Sequence, residues 1–358
     1  MLQLSYQVEH PNILLKPVEF RRIMKSMVLA GPKKILENNS DMPKAGPDET
    51  LIRVIKTGIC GTDLKIFQGG IPVTYPRIMG HETVGEIVSG SNFNAGTPVI
   101  IDPAYYCGAC YNCRDGQTHL CPNGGLIGRD VEGGFAEYMT APSRNVYALP
   151  DDIESSVTPL IQPLTTCLHA QRKANIFPGE AVLVYGLGVT GLLHVQLAKA
   201  HGAYPVIGVT RSKWKRELAE ELGADFTFAP SDTLHSKVLE VTGEKNGVDL
   251  VIESVGQLPI LAEAIELVRL GGRILPFGIY TSTQGELPFY NLYFKEIQVV
   301  NARVAKPEDY PASIDFVKRG IVNLKPLVTH NFSFDKILKA LEMLDAGNSE
   351  CIKIILDH

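Results

Sequence analysis

A thiol, an imidazole and two carboxylates crowd the stretch from Thr57 to Glu82, which reads TGICGTDLK, an irregular passage to Tyr75-Pro76, and then IMGHE. Cys60 supplies a soft thiolate and His81 a borderline imidazole, a pair suited to Zn²⁺. Glu82 stands beside the imidazole, and Thr62 and Asp63 follow the thiol. A metal held by so few protein donors keeps a position for substrate, so the chemistry implied is that of a reactive metal centre. Taken singly, the same residues could be a core cysteine and a loop histidine that never meet. The glycines at 58, 61 and 80 and a second set of metal-type residues downstream favour the metal reading.

That second set is Cys107, Cys110, Cys113 and Cys121, spaced C-x₂-C-x₂-C-x₇-C in a lobe at about 105–122. Four thiolates can close a tetrahedral shell around Zn²⁺ with no vacancy, which is the habit of a structural site, and the Gly, Asn and Asp between them permit tight turns. An iron–sulfur cluster and free thiols are the alternatives, because C-x₂-C-x₂-C also opens ferredoxin motifs. Cys167 and Cys351 have no partner at metal spacing.

Further along, an apolar strand, Ala181 to Tyr185, runs into Gly186-x-Gly188-x-x-Gly191. A helix-period segment, Leu192 to Ala200, and a second strand, Pro205 to Val209, follow. In that setting the glycines read as a dinucleotide fingerprint: a tight turn, room for a pyrophosphate at a helix N-terminus, and close helix–strand packing. A glycine-rich turn without a ligand is the plain alternative. An acidic residue at the end of the second strand would bind the ribose 2′-hydroxyl of NAD; here Thr210, Arg211, Ser212 and Lys213 stand there instead. A hydroxyl and a guanidinium suit a 2′-phosphate, so NADP is expected over NAD. Gly186, Gly188, Val189, Gly191, Thr210, Arg211, Lys215 and Ser254 form the expected cofactor-binding set.

The elements that must position these groups fall into two patterns. From 51 to 101, LIRVIKTGI, TVGEIVSG and TPVII are short β-rich runs punctuated by Gly and Pro, as in a compact β-rich domain whose loops carry the 57–82 site. From 181 onward strands and helices alternate as in a doubly wound parallel sheet: GVDLVIESVG ends a strand at Glu253, LAEAIELVRLGG reads as an amphipathic helix closed by glycine, and RILPFG and EIQVVNA read as strands. Beyond about 302, PEDYPASIDFVKRG and FDKILKALEMLDAG read as helices, and PLVTHNF and CIKIILD as β segments able to return to the first domain. The first 23 residues read as an extension.

Length and composition agree. With 358 residues, 45% hydrophobic and 20% charged, the chain suits a soluble protein of about two domains. No run reaches the roughly 18 apolar residues of a membrane span, and the N-terminus lacks a secretory pattern, so the cytoplasm is the expected compartment. A net charge of −5 supplies no general attraction to nucleic acid or anionic membrane.

GICGTD, GHE, the four-cysteine lobe and the glycine fingerprint, in that order from about 24 to 358, resemble the zinc-dependent medium-chain dehydrogenase/reductase family, in particular its polyol, sugar and threonine dehydrogenase-like branch. The ending NLKPLVTHNFSFDKILKALEML is similar to polyol dehydrogenases. The resemblance implies an α/β fold: a Rossmann domain, 164–301, inserted into a GroES-like catalytic domain, 24–163 and 302–358, with a cleft between them. It also implies homodimers or homotetramers and two zinc ions per subunit, one catalytic and one structural. By the same resemblance Cys60 and His81 match catalytic zinc ligands, Glu82 a carboxylate that ligates directly or through water, Asp63 the carboxylate that orients His81, and Thr62 the hydroxyl that relays the substrate proton.

Two positions depart from the family pattern. The next zinc ligand, usually Glu or Cys, is Gln162, as in the archaeal glucose dehydrogenases this chain resembles; a neutral amide offsets less metal charge, which gives Glu82 more reason to coordinate. Lys65 stands where many relatives end the proton relay with His, and an ordinary protonated lysine cannot be the terminal base. A solvated lysine is the preferred reading; a lysine with a pKa lowered by burial and a contact to the cofactor's phosphates are the alternatives. The expected reaction is hydride transfer between an alcohol, polyol, cyclitol or sugar hydroxyl and NADP or NAD. Rival readings are a threonine dehydrogenase-like or simple alcohol dehydrogenase, a zinc-free quinone or enoyl reductase, and a non-catalytic dinucleotide-binding protein.

Overall fold

The computed structural model describes residues 23–358 except 91, 92, 283, 348 and 349. The extension read at residues 1–23 therefore lies, but for Ile23, outside the described residues. Two main sheets carry the site. The first is a seven-stranded sheet built on the long Glu49–Ile59 strand. Glu82–Ser89 and Lys353–Asp357 flank it antiparallel, and Tyr138–Pro142 also pairs with it. The C-terminal strands Val328–Ser333 and Lys353–Asp357 thus complete a sheet begun near residue 49. Segments far apart in sequence meet beside the donor residues.

The second sheet has six strands, all parallel. In chain order its members are Val182–Tyr185, Val206–Val209, Phe226–Phe228, Val248–Glu253, Val268–Pro276 and Gln298–Val299. Val182–Tyr185 lies between Val206–Val209 and Val248–Glu253, so the order reads 3-2-1-4-5-6 and the direction of winding reverses beside Val182–Tyr185. Such a reversal opens a crevice at the carboxyl ends of the strands, where dinucleotides bind. Val182, Leu183 and Val184 and their neighbours Val206, Leu250 and Ile252 are all fully buried, as expected of strands covered on both faces.

The helix Ile161–Ala174 joins the two sheets. It packs on Val189–Ala200 from the second unit and on Asp309–Lys318, and its residues share one apolar core with Val84 and Ile100 of the first sheet and Val182 and Leu250 of the second. The expected boundary at 163/164 falls inside this helix, so the units share a rigid element.

One expected element ends early. The helix anticipated to close at Gly271-Gly272 stops at Leu267, and Val268 already belongs to the next strand. Val268 pairs with Val248 and Arg273 with Leu250, so residues 269–272 bulge between two paired positions. β-branched Val268, fully buried, gains more from the sheet than from another helical turn.

Candidate metal and dinucleotide site

Cys60 ends the Glu49–Ile59 strand and caps a short helix, Gly61–Phe67, that the sequence reading did not anticipate. Its amide donates to Asp63 Oδ2 at 2.9 Å, satisfying one of the free amides at the helix start. The signal for that turn was present: a carboxylate three residues after the capping position. The other oxygen, Asp63 Oδ1, lies 3.2 Å from His81 Nδ1, and Asp63 is fully buried. One carboxylate therefore ties the thiol-bearing turn to the imidazole.

Ligand atoms of Cys60, His81 and Glu82 lie within 4.8 Å of one another. Burial disfavours a proton on His81, yet the charges of Asp63 and Cys60 outweigh it and raise its pKa well above the ordinary histidine range. A divalent ion among these donors would supply the positive charge that a proton otherwise brings, so the donor set fits a metal. Glu82, also fully buried, pairs with the ammonium of Lys353 on the C-terminal strand, and Lys353 donates to the Ile59 carbonyl at 3.0 Å. Gly58 makes room for this pair, because a Cβ there would lie 2.0 Å from Glu82 Oε2. Lys353 was invisible to sequence reasoning, since only strand pairing of Ile354 with Ile59 brings it here. Thr62 is half-buried in the first helical turn, while Gln162 is buried at the start of Ile161–Ala174, just after a turn packed on the strands that carry Cys60 and Glu82.

The four cysteines of the lobe converge with S···S separations of 3.5 Å (Cys121–Cys107), 3.8 Å (Cys110–Cys121) and 3.9 Å (Cys107–Cys113). Disulfides need about 2.05 Å, whereas thiolates at about 2.3 Å around one tetrahedral ion lie about 3.8 Å apart. A cluster would interpose iron and sulfide between them, so the spacing fits a single ion. The Ala109 and Cys110 amides point at Cys107 Sγ and lower its pKa to about 6, whereas desolvation and the neighbouring thiols push Cys113 up to about 12.

In the second unit each fingerprint glycine has a distinct role. Gly186 has φ +92°, and a Cβ there would meet Val255 at 2.5 Å; a Cβ on Gly191 would lie 1.8 Å from the Gly186 carbonyl oxygen. Gly188 caps the Val189–Ala200 helix and faces open space, leaving that N-terminus approachable. Ser254 sits across the turn at the end of its strand, with a buried hydroxyl that has no hydrogen-bond partner among the described residues. Thr210 follows the Val206–Val209 strand, and Arg211 beside it is exposed.

The family profile described as zinc-binding dehydrogenase matches residues 189–319, and that of the alcohol dehydrogenase GroES-like domain matches residues 46–151. An L-threonine 3-dehydrogenase of Pyrococcus abyssi is 36% identical over 329 residues, covering 88% of this chain and 93% of that protein. The chain belongs to the zinc-dependent medium-chain dehydrogenase/reductase family. A sorbitol dehydrogenase of Halalkalibacterium halodurans is 32% identical over 323 residues, with 88% and 93% coverage. A zinc-binding dehydrogenase of Sinorhizobium meliloti, solved with NADP, superposes with a TM-score of 0.87 at 31% identity, over 94% of this chain and 100% of that one. As a family member the protein is a nicotinamide-dependent oxidoreductase acting on alcohol groups.

Within this medium-chain dehydrogenase, three cationic side chains behave in ways the sequence left open. Lys65 is not simply solvated: it donates to the Ile279 carbonyl at 2.6 Å. Lys215 is engaged with the C-terminal segment, donating to the Cys351 carbonyl at 3.2 Å, and burial lowers its pKa. Arg216, absent from the expected set, donates to the carbonyls of Thr210 at 2.8 Å and Arg211 at 3.0 Å and so shapes the turn that carries both.

Proposed function

We propose that this protein oxidises a secondary hydroxyl of a small alcohol, polyol, cyclitol or sugar with NADP, and reduces the corresponding carbonyl in reverse. The observation that carries the reading is the convergence of Cys60, His81 and Glu82 on the helix that bears Thr62. Cys60, His81, Glu82 and Gln162 would hold a catalytic zinc, and Cys107, Cys110, Cys113 and Cys121 a structural one. Bound there, zinc supplies Lewis acidity toward the alcohol oxygen and the nicotinamide supplies the hydride acceptor. The chain's own part is placement and proton movement. Asp63 keeps the His81 ring aimed. The Thr62 hydroxyl passes the substrate proton toward solvent. Glu82, held by Lys353, is a reserve donor that offsets the weak charge of an amide ligand.

For the dinucleotide, Gly186, Gly188, Val189 and Gly191 would take the pyrophosphate, Ser254 the nicotinamide side, and Thr210 and Arg211 the adenosine end, which Lys215 would join only on leaving the Cys351 carbonyl. Preference for NADP rests on Arg211 and on the lack of a carboxylate at Thr210. Arg211→Ala should cost the NADP value of kcat/KM about 10- to 100-fold, the worth of a hydrogen bond to a charged group, and leave NAD unaffected. A higher kcat/KM with NAD in the wild type, together with an unchanged NADP value in the variant, would overturn it. A screen of NADP and NAD reduction over alcohols and sugars, with zinc measured on the same sample, tests the whole reading.

A second reading, a β-hydroxy amino acid such as threonine as substrate, draws on the threonine-acting relative and belongs in the same screen. A homodimer or homotetramer is supported by the exposed row Phe289, Tyr290, Tyr293 and Phe294 beside the edge strand Gln298–Val299. Among the described residues no helix is long and apolar enough to cross a membrane; a small molecule in the cytoplasm is the expected partner, with no nucleic acid.

A further inference from the structure

The Lys65 contact joins the two units of the molecule. Its helix begins at Cys60 and carries Thr62, whereas Ile279 follows the Val268–Pro276 strand at the carboxyl edge of the parallel sheet, where ligands enter such folds. The loop that receives it is braced. A Cβ on Gly256 would lie 2.6 Å from the Ile279 carbonyl oxygen, and one on Gly278 would lie 2.1 Å from the Gly256 nitrogen, so residues 254–256 and 278–280 are in backbone contact. Glu253 seals them: fully buried, it accepts from the amides of Val255 at 2.8 Å and Gly256 at 2.9 Å and from the Tyr280 hydroxyl. Ser254 rides on the same unit.

Burial lowers the pKa of Lys65, while the negative charges of Cys60 and Glu253 work against that loss. One of its N–H groups goes to a carbonyl that can only accept. As an ammonium, Lys65 is a donor across the cleft with no lone pair for the proton leaving Thr62.

We propose that Lys65 is a positioning residue that latches the paired loops 254–256 and 278–280 to the helix bearing Thr62, setting the distance between the dinucleotide crevice and the donor residues. The inference rests on the dinucleotide reading above for its consequence in catalysis, but its mechanical part is a property of the protein without ligand.

The test compares wild type, Lys65→Met and Lys65→Arg as full-length, zinc-loaded protein. Hydrogen–deuterium exchange without dinucleotide should speed up in Lys65→Met at 254–257 and 277–281 together. NADPH titration by fluorescence should show Kd raised about tenfold, the scale of one charge-assisted hydrogen bond. KM for NADP should rise more than kcat falls, the pH profile of kcat should keep its shape, and Lys65→Arg should restore most of each effect. Unchanged exchange in both loops would overturn the latch, as would loss of one limb of the pH profile with unchanged Kd, which would make Lys65 a base. If wild type binds no dinucleotide, the functional reading falls, and the exchange comparison alone still decides the latch.

Discussion

The two clusters of metal-type residues differ in almost every physical respect. Cys107 is exposed and its three partners half-exposed; they come from one short segment and are all thiols. His81 and Glu82 are 6% and 0% exposed, their set mixes sulfur, nitrogen and oxygen, and it is braced by Lys353 from the C-terminal strand. A local, closed, single-element shell suits a clasp for a loop. The other arrangement keeps low-dielectric surroundings and unequal donors around a position that substrate can share. One motif can thus organise structure and the other chemistry, although both favour the same ion.

The comparison breaks if the two sites respond alike to loss of a thiol. Cys60→Ser should lower kcat/KM by at least about 10³-fold, roughly 4 kcal/mol of barrier, with one zinc equivalent lost. The measurement is steady-state kinetics with metal analysis on the same preparation, and an active zinc-depleted variant would refute the catalytic assignment.

Lys353→Met should have the next largest effect. In zinc-free protein it strands the Glu82 carboxylate in the interior with no countercharge, and stability should fall by about 3–5 kcal/mol in urea unfolding. The double variant Glu82→Gln with Lys353→Met should recover most of that loss, because neither charge is then left buried alone. Equal destabilisation by the single and double variants would mean that Lys353 acts through packing.

What the sequence made legible follows from the range of the interactions. The glycine turn at 186–191 and the four cysteines are local, so residue type and spacing carried their geometry. Cys60, His81 and Asp63 could be named as a set because they lie within one stretch whose motifs carry the family resemblance, although the helix that Cys60 caps was not foreseen. The Glu82–Lys353 pair could not, since a C-terminal lysine next to apolar residues reads as any strand residue until Ile354 is found opposite Ile59. The Lys65 contact could not be read for the same reason: its acceptor is a main-chain carbonyl far along the chain, which no side-chain pattern marks. The helix ending at Leu267 shows the converse, a local glycine signal overridden by a buried β-branched residue joining a sheet.

At the exposed cluster, Cys107→Ser should also cost one zinc equivalent, but kcat should stay within about threefold, ~0.7 kcal/mol. Each tenfold loss of zinc affinity should lower stability by about 1.4 kcal/mol at fixed free zinc, read as a fall in Tm. A large fall in kcat with unchanged Tm would erase the distinction between the sites.

The smallest change asks whether the buried site depends on its bracing as well as its donors. Asp63 uses one oxygen for the Cys60 amide and has the other 3.2 Å from His81 Nδ1. Asparagine keeps one acceptor oxygen and replaces the other with a donor, so it can serve the amide or the imidazole but not both. Asp63→Asn should therefore weaken zinc at the buried donors by about 10- to 100-fold in competition with a chelator, while the lobe holds its ion as before. Equal weakening at both sites would show that the carboxylate supports the fold as a whole, whereas loss confined to the buried site would place its work in the aim of one imidazole.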